Sequence, residues 1–235
     1  MFSERFQGPP GAANGGFVAG TLARQMEGAV AVTLSKPVPL ARPLGIVRDG
    51  PAATLFDGDV ALVRAEPATL DVDLPEPVSY EQAIEATKRF PVEVHPYPGC
   101  FVCGPARTWG DALCLFTGPT SDRRAVAAPW VPDPHLCRDV SGSDEVDAPV
   151  ELVWSVLDCP GLWSIYLAPG IGPQPMLLGR ITARVLERPR VGEKHVVMGF
   201  FTGRERRKHF CDTAVFDANG RVCAVARSIW IAVPG

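Results

Sequence analysis

Four stretches of this 235-residue chain hold residue types that could do chemistry. The first is Asp158, which interrupts the apolar run "LVWSVLDCPGLW". A carboxylate in an otherwise apolar helix must be hydrogen-bonded, reached by water, or held at a cost in free energy. Such a group can take a proton from water or attack an acyl carbon directly. At helical spacing Glu151, Trp154 and Ser155 share its face, and Glu151 is the substitute base. The plainer alternative is a residue at a helix end that bonds nearby backbone ahead of Pro160. The second stretch is "NGGF", Asn14 to Phe17, where a glycine turn opens a helix. Free N–H groups at a helix start are fixed donors for charge growing on a carbonyl oxygen, and glycine lets a ligand come close. The N–H groups of Gly15, Gly16 and Phe17 are the candidates, against an ordinary glycine-rich loop.

The third stretch is "HPYPGCFVCGPAR", with Cys100 and Cys103 as a Cys-x-x-Cys. A zinc site needs two further ligands; His135 and Cys137 offer the best pair, but His-x-Cys is not a usual zinc spacing. A redox dithiol calls for a strand-helix-strand setting that is lacking here. The preferred reading is that Cys100, Phe101 and Cys103 pack as small apolar residues, so no metal is expected. The fourth is the basic run "GRERRKH", Gly203 to His209. It reads as a solvated hairpin tip, or as a place where Arg204, Arg206, Arg207 or Lys208 meets phosphate groups.

Composition removes several classes. A net charge of -3 gives no general reason to bind nucleic acid or an anionic membrane, and no apolar run reaches the length of a membrane span. The N-terminal "MFSERFQGPPGAANGG" has no apolar stretch of the kind an export signal needs, and seven cysteines, an odd number, fit free thiols better than a disulfide framework. A soluble cytoplasmic protein is expected. No Gly-x-Ser-x-Gly elbow, phosphate-binding loop or dinucleotide fingerprint occurs. Serine-triad and nucleotide-driven chemistry are therefore both unsupported.

The elements that must position these residues follow a repeat. After the loop "GPPGAANGG" the run "FVAGTLARQM" is apolar around most of the helical wheel, which marks a buried helix. Strand-like segments follow: "AVAVTLSKPVPL", "RPLGIVRDG", "AATLFDG" and "DVALVRAEPATL". A proline-punctuated connector carries a short helix over "SYEQAIEATKRF", capped by Ser79. A short strand pair and a polar loop, "CRDVSGSDEVDAP", lead to a second apolar helix, with Asp147 as N-cap and Pro160 kinking or ending it. Four more strands complete the chain. "LSKP" at Leu34 echoes "LERP" at Leu186, and "FDGDVALVRAE" from Phe56 echoes "FDANGRVCAVARS" from Phe216. A helix that is apolar on most sides, followed by a long meander, implies a curved antiparallel sheet around a central helix, twice.

That order resembles the double hotdog fold of acyl-CoA thioesterases, thioesterase II type, an α+β architecture. "CFVCGPARTWGDALCLF" from Cys100 is similar to the "CFxCGxxNPxGL" opening of single hotdog thioesterases, and Asn14-Gly15-Gly16 stands where they carry His-Gly-Gly. The chain divides into a first hotdog with connector, 1–94, and a second, 95–235. The resemblance implies hydrolysis of an acyl-CoA thioester, coenzyme A entering only as part of the substrate, and a homo-oligomer. The carboxylate position falls near Ala23 or Arg24 in the first half and on Asp158 in the second, while the glycine turn survives only in the first. One composite site results, with Asn14, Gly15, Gly16 and Asp158 catalytic. Phe17, Glu151, Trp154, Ser155, Arg204 and Arg207 are expected to bind substrate, the arginines through the coenzyme A phosphates. The family's threonine and glutamine partners are not both present, because the last strand offers Ala226 and Arg227 and no glutamine. A non-catalytic protein that binds acyl-CoA or another small hydrophobic ligand on the same fold is the alternative.

Overall fold

A computed structural model describes residues 1–233. The first half opens with helix α1 (Gly15–Ala23) and continues with strands β1 (Ala29–Leu34), β2 (Gly45–Asp49), β3 (Ala52–Asp57) and β4 (Val60–Ala68). The connector carries α2 (Tyr80–Thr87). Then come β5 (Gly118–Pro119), β6 (Val126–Trp130), α3 (Pro134–Ser141), α4 (Val150–Tyr166), β7 (Met176–Val185), β8 (His195–Glu205), β9 (Lys208–Asp217) and β10 (Val222–Ala232). No described helix is long and apolar enough to cross a membrane.

All ten strands form one antiparallel sheet in the order β2-β3-β4-β1-β7-β10-β9-β8-β6-β5. The repeat expected from the sequence is therefore present: β1-β4-β3-β2 runs outward on one side of the β1–β7 junction and β7-β10-β9-β8 on the other. Backbone bonds repeat as well. The N–H groups of Ser35 and Lys36 both donate to Leu62 O, and those of Leu186 and Glu187 both donate to Cys223 O. Ala13 N–H donates to Val38 O, and Ala148 N–H to Pro189 O. These bonds equate Val38 with Pro189, so the "LSKP" and "LERP" echo is one residue out of step with the structural repeat. Carried back along the strands, the same equivalence sets Ala31 against its own counterpart, Thr182, at the β1–β7 junction.

The two central helices lie back to back inside the curved sheet. A Cβ on Gly16 would sit 2.6 Å from Trp154 O, and one on Gly20 would sit 2.7 Å from Glu151 Cα. Two glycines one turn apart thus let α1 approach α4 backbone to backbone. On the other side of α4, Gly199 of β8 faces Pro160 O, and a Cβ on Gly161 would lie 2.5 Å from Cys211 Sγ. The concave face of the sheet and both helices make the main core. Alternate residues of β8 and β9, Val196, Met198, Ala214 and Phe216, point to the convex face, where Ala83 and Ala86 of α2 cover them.

Three local expectations change. Of the two outcomes expected at Pro160, a kink or an end, the end does not occur: α4 runs on to Tyr166, and burial of nearly the whole helix outweighs the one backbone bond that proline removes. Asp147 is not the N-cap: Pro149 takes that position with no side-chain cap, while Asp147 bridges to Arg190 and pairs with Arg188. The polar loop after Trp130 contains a regular helix, α3, with Asp133 accepting from Leu136 N–H, Pro134 in the first turn and Gly142 as a left-handed C-cap. The capping box of α2 is as expected, built from Ser79 and Gln82.

Candidate functional site

The start of α1 meets the middle of α4 at Asp158, which is 1% exposed. Its Oδ2 accepts from Asn14 Nδ2 at 2.9 Å and from Gly16 N–H at 2.9 Å. The Asn14 Oδ1 accepts from Phe17 N–H at 2.9 Å, so one side chain caps α1 and grips the carboxylate. Asp158 Oδ1 is buried and has no hydrogen-bond partner among the described residues. Burial pushes the carboxyl up to about 7, with the Gly16 N–H opposing, charge at Cys100 adding and the Asn14 amide opposing.

Asp158, Asn14 and Gly15 line a cavity of ≈ 230 Å³ whose walls are mainly apolar, from Leu34, Val38, Leu162, Met176, Leu178 and Trp230. The sequence count along two helices thus brought together four residues that do meet: Asn14, Gly15, Gly16 and Asp158. Their arrangement differs from the expectation in one respect. Gly16 N–H is taken by Asp158, and Phe17 N–H by Asn14, so neither is free to polarise a carbonyl. Gly15 N–H is the remaining donor at the turn.

The other candidates lie elsewhere. Phe17 packs in an aromatic cluster, stacked on Phe6 at 3.9 Å and edge-on to Phe2 and Phe101. Trp154 and Ser155 face α1, and Ser155 Oγ donates to Glu151 O at 2.7 Å. Glu151 pairs with Arg24 at 3.1 Å, at the far end of α1 from the cavity. Helical spacing placed these three on the Asp158 face correctly, but that face packs against α1 and only its last residue reaches the cavity. Arg204 and Arg207 belong to the β8–β9 hairpin, whose turn includes Arg206 at φ 52°. Glu205, Arg206, Arg207 and Lys208 border a depression together with Ile231, which also lines the main cavity. The basic tip therefore stands beside the cavity rim.

Sequence reasoning missed a group of thiols. Cys100, Cys103 and Cys159 converge on the cavity wall with their sulfur atoms within 4.8 Å of one another. His95 Nε2 lies 3.3 Å from Cys103 Sγ. His135 and Cys137, the pair weighed above as further zinc ligands, sit on α3 and do not join the group. The available signal was adjacency: Cys159 follows Asp158 directly and so shares its place on α4.

No family model matches the chain, and no curated protein matches it. Solved structures do. A tesB protein from Mycobacterium avium subspecies paratuberculosis superposes with a TM-score of 0.61 over 97% of this chain and 90% of its own, at 13% identity. A thioesterase II described as putative, from Thermobifida fusca YX, gives 0.58 over 99% and 92% at 14% identity. A protein of unknown function with hot dog fold from Alicyclobacillus acidocaldarius gives 0.52 over 98% and 90% at 12% identity. The chain has a double hotdog fold. Within that hotdog pair, α1 and α4 are the central helices, and the Asn14–Asp158 contact joins one repeat to the other.

Asn14→Ala tests that joint. It removes the cap on Phe17 N–H and one of the two donors to a buried carboxylate. A lost cap costs about 1 kcal/mol, and an unpaired buried group about 1–3 kcal/mol more. Urea denaturation is expected to show a loss of roughly 2–4 kcal/mol, where an exposed-site control such as Glu27→Ala loses none.

Proposed function

We propose that the protein hydrolyses a short-chain acyl thioester of coenzyme A. One observation carries the reading: a buried carboxylate on the wall of an apolar cavity has one oxygen pinned by two donors and the other without a partner. The pinned oxygen fixes the orientation, and the other, with no partner within the chain, is the one we assign as proton acceptor. The double hotdog likeness to thioesterase II structures supports the choice of thioester over other acyl compounds.

Asp158 Oδ1 takes a proton from water as the water oxygen adds to the thioester carbonyl carbon. Negative charge develops on the carbonyl oxygen, and Gly15 N–H is the donor assigned to it. The tetrahedral intermediate collapses with cleavage of the carbon–sulfur bond, and the proton held by Asp158 leaves with the thiolate, giving a free acid and a thiol. Gly16 holds the carboxylate in place and does not contact the oxyanion. A cavity of ≈ 230 Å³ lies below the usual span of ligand pockets, roughly 300–1,000 Å³, and so accommodates a short acyl group. The basic tip at Arg206 and Arg207, which shares Ile231 with the cavity lining, is assigned to the phosphate-bearing tail.

Hydrolysis measured across acyl-CoA chain lengths should peak at short chains and fall for long ones. Arg206→Glu with Arg207→Glu should raise KM several-fold, more at low salt, with kcat retained. Turnover of every chain length no faster than buffer would sink the hydrolytic reading. The second reading, an acyl-CoA binder without turnover, is favoured by one observation: Gly16 and Phe17 N–H are both occupied within the chain, leaving a single donor for an oxyanion. It predicts saturable binding by calorimetry in the same absence of turnover.

A further inference from the structure

We infer that Cys100, Cys103 and Cys159 form a site for one thiophilic divalent cation, Zn²⁺, on the cavity wall, with His95 holding the Cys103 sulfur by a hydrogen bond. The three sulfurs come from two separate pieces of chain, the turn at 100–103 and α4, yet all lie within 4.8 Å of one another. Cys100 Sγ and Cys159 Sγ are 3.7 Å apart. Tetrahedral zinc with Zn–S near 2.3 Å sets its sulfurs roughly 3.8 Å apart, so one pair already has the required spacing and the others need only a small closure. Three sulfur donors favour zinc over the oxygen-seeking cations Mg²⁺ and Ca²⁺.

The turn that carries two of the thiols is shaped to present them. Gly104 N–H donates to Cys100 O at 2.9 Å, and a Cβ on Gly104 would lie 2.5 Å from Cys100 N, so the residue after the second cysteine must lack a side chain. Tyr97 N–H donates to His95 Nδ1 at 3.0 Å. The neutral ring therefore carries its proton on Nε2, facing Cys103 Sγ at 3.3 Å. That tautomer makes His95 a donor to the sulfur and not itself a ligand.

Three protein ligands leave a fourth position. All three thiols line the cavity, so water or an exogenous sulfur ligand entering from the cavity fills it. On binding, the thiol protons pass to solvent and the cation takes up the thiolates. A disulfide between Cys100 and Cys159 would need their sulfurs to close to about 2.05 Å, and would leave Cys103 without a partner. Metal binding needs only the three thiols, so it is expected whether or not the protein turns over a thioester.

Full-length protein, expressed with zinc and purified under reducing conditions, should contain one zinc per chain by plasma mass spectrometry. Replacing the metal with Co²⁺ should give the thiolate-to-cobalt band in the near ultraviolet and the strong visible bands of a tetrahedral ion. Cys103→Ser and Cys159→Ser should each lose the bound metal and these bands, while Cys137→Ser, on α3 and outside the group, keeps one equivalent. Wild-type protein with no cobalt charge-transfer band, or Cys159→Ser with the band unchanged, overturns the site. Where a serine variant fails to fold by circular dichroism, the cobalt spectrum of the wild type decides alone.

Discussion

Asp158→Asn should lower kcat for acyl-CoA hydrolysis by roughly 10²–10⁴-fold, the range that a positioned general base supplies, while leaving substrate binding intact. The substitution is close to isosteric. An asparagine Oδ1 can still accept from Asn14 Nδ2 and Gly16 N–H, the two donors now 2.9 Å from Asp158 Oδ2. Its amide nitrogen then occupies the place of the unpartnered Oδ1 and presents hydrogens where a proton acceptor is required. The fold should hold, because the same contacts remain and a buried charge is gone. Asp158→Ala is the informative contrast. It removes the base and strands both donors, so it should lose stability as well as activity, by about 1–3 kcal/mol for each unsatisfied group. Wild-type kcat in Asp158→Asn would exclude this carboxylate as the base. Equal acyl-CoA affinity in the two proteins, with no turnover in either, would leave the protein a binder.

Much of this arrangement was legible because the physics that made it is local. Strand segments rich in β-branched residues, closed by Gly, Asp or Pro, gave the β1–β4 and β7–β10 meanders, and their two echoes disclosed the repeat. The offset of one residue between Leu34 and Leu186 was not legible, since similar letters in a turn do not fix register; the paired bonds to Leu62 O and Cys223 O do. Helix α3 escaped because it shows no long apolar stripe, although Asp133, Pro134 and Gly142 mark both its ends. Continuation of α4 through Pro160 depends on burial by β8 and β9, which no window around the proline contains. At the site, counting from each helix start found Asn14 and Asp158. Which N–H groups stay free depends on a contact between residues 144 apart in sequence. The same holds for Cys100 and Cys159, 59 apart: each looks like a small packing residue until the fold brings them together.

Gly16→Ala carries the second large effect, on stability first and on activity through it. Alanine is the better helix former by about 1 kcal/mol, so an exposed glycine at this point of α1 would gain from the change. Here the added Cβ would lie 2.6 Å from Trp154 O, 2.7 Å from Asp158 Cβ and 2.9 Å from Ser155 Cα. Two of those atoms are backbone of a central helix packed on its other side against the sheet, so α1 must move instead. Overpacking of this kind costs roughly 1–3 kcal/mol, which outweighs the propensity gain. Gly15→Ala is the matched comparison: its Cβ would meet Leu178 Cδ2 at 2.9 Å, a side-chain tip that can turn aside, and Leu178 Cβ at 3.2 Å, which asks for a shift of only a few tenths of an ångström. Urea denaturation should therefore rank Gly16→Ala well below Gly15→Ala. Gly20→Ala separates the two consequences. Its Cβ would press on Glu151 Cα at 2.7 Å, one turn away from the bond between Gly16 N–H and Asp158. It should lose comparable stability but keep kcat, whereas Gly16→Ala should lose kcat too, because the helix shift lengthens the 2.9 Å bond that orients the carboxylate. Equal kcat in the two variants would mean that the Gly16 bond has no part in positioning Asp158.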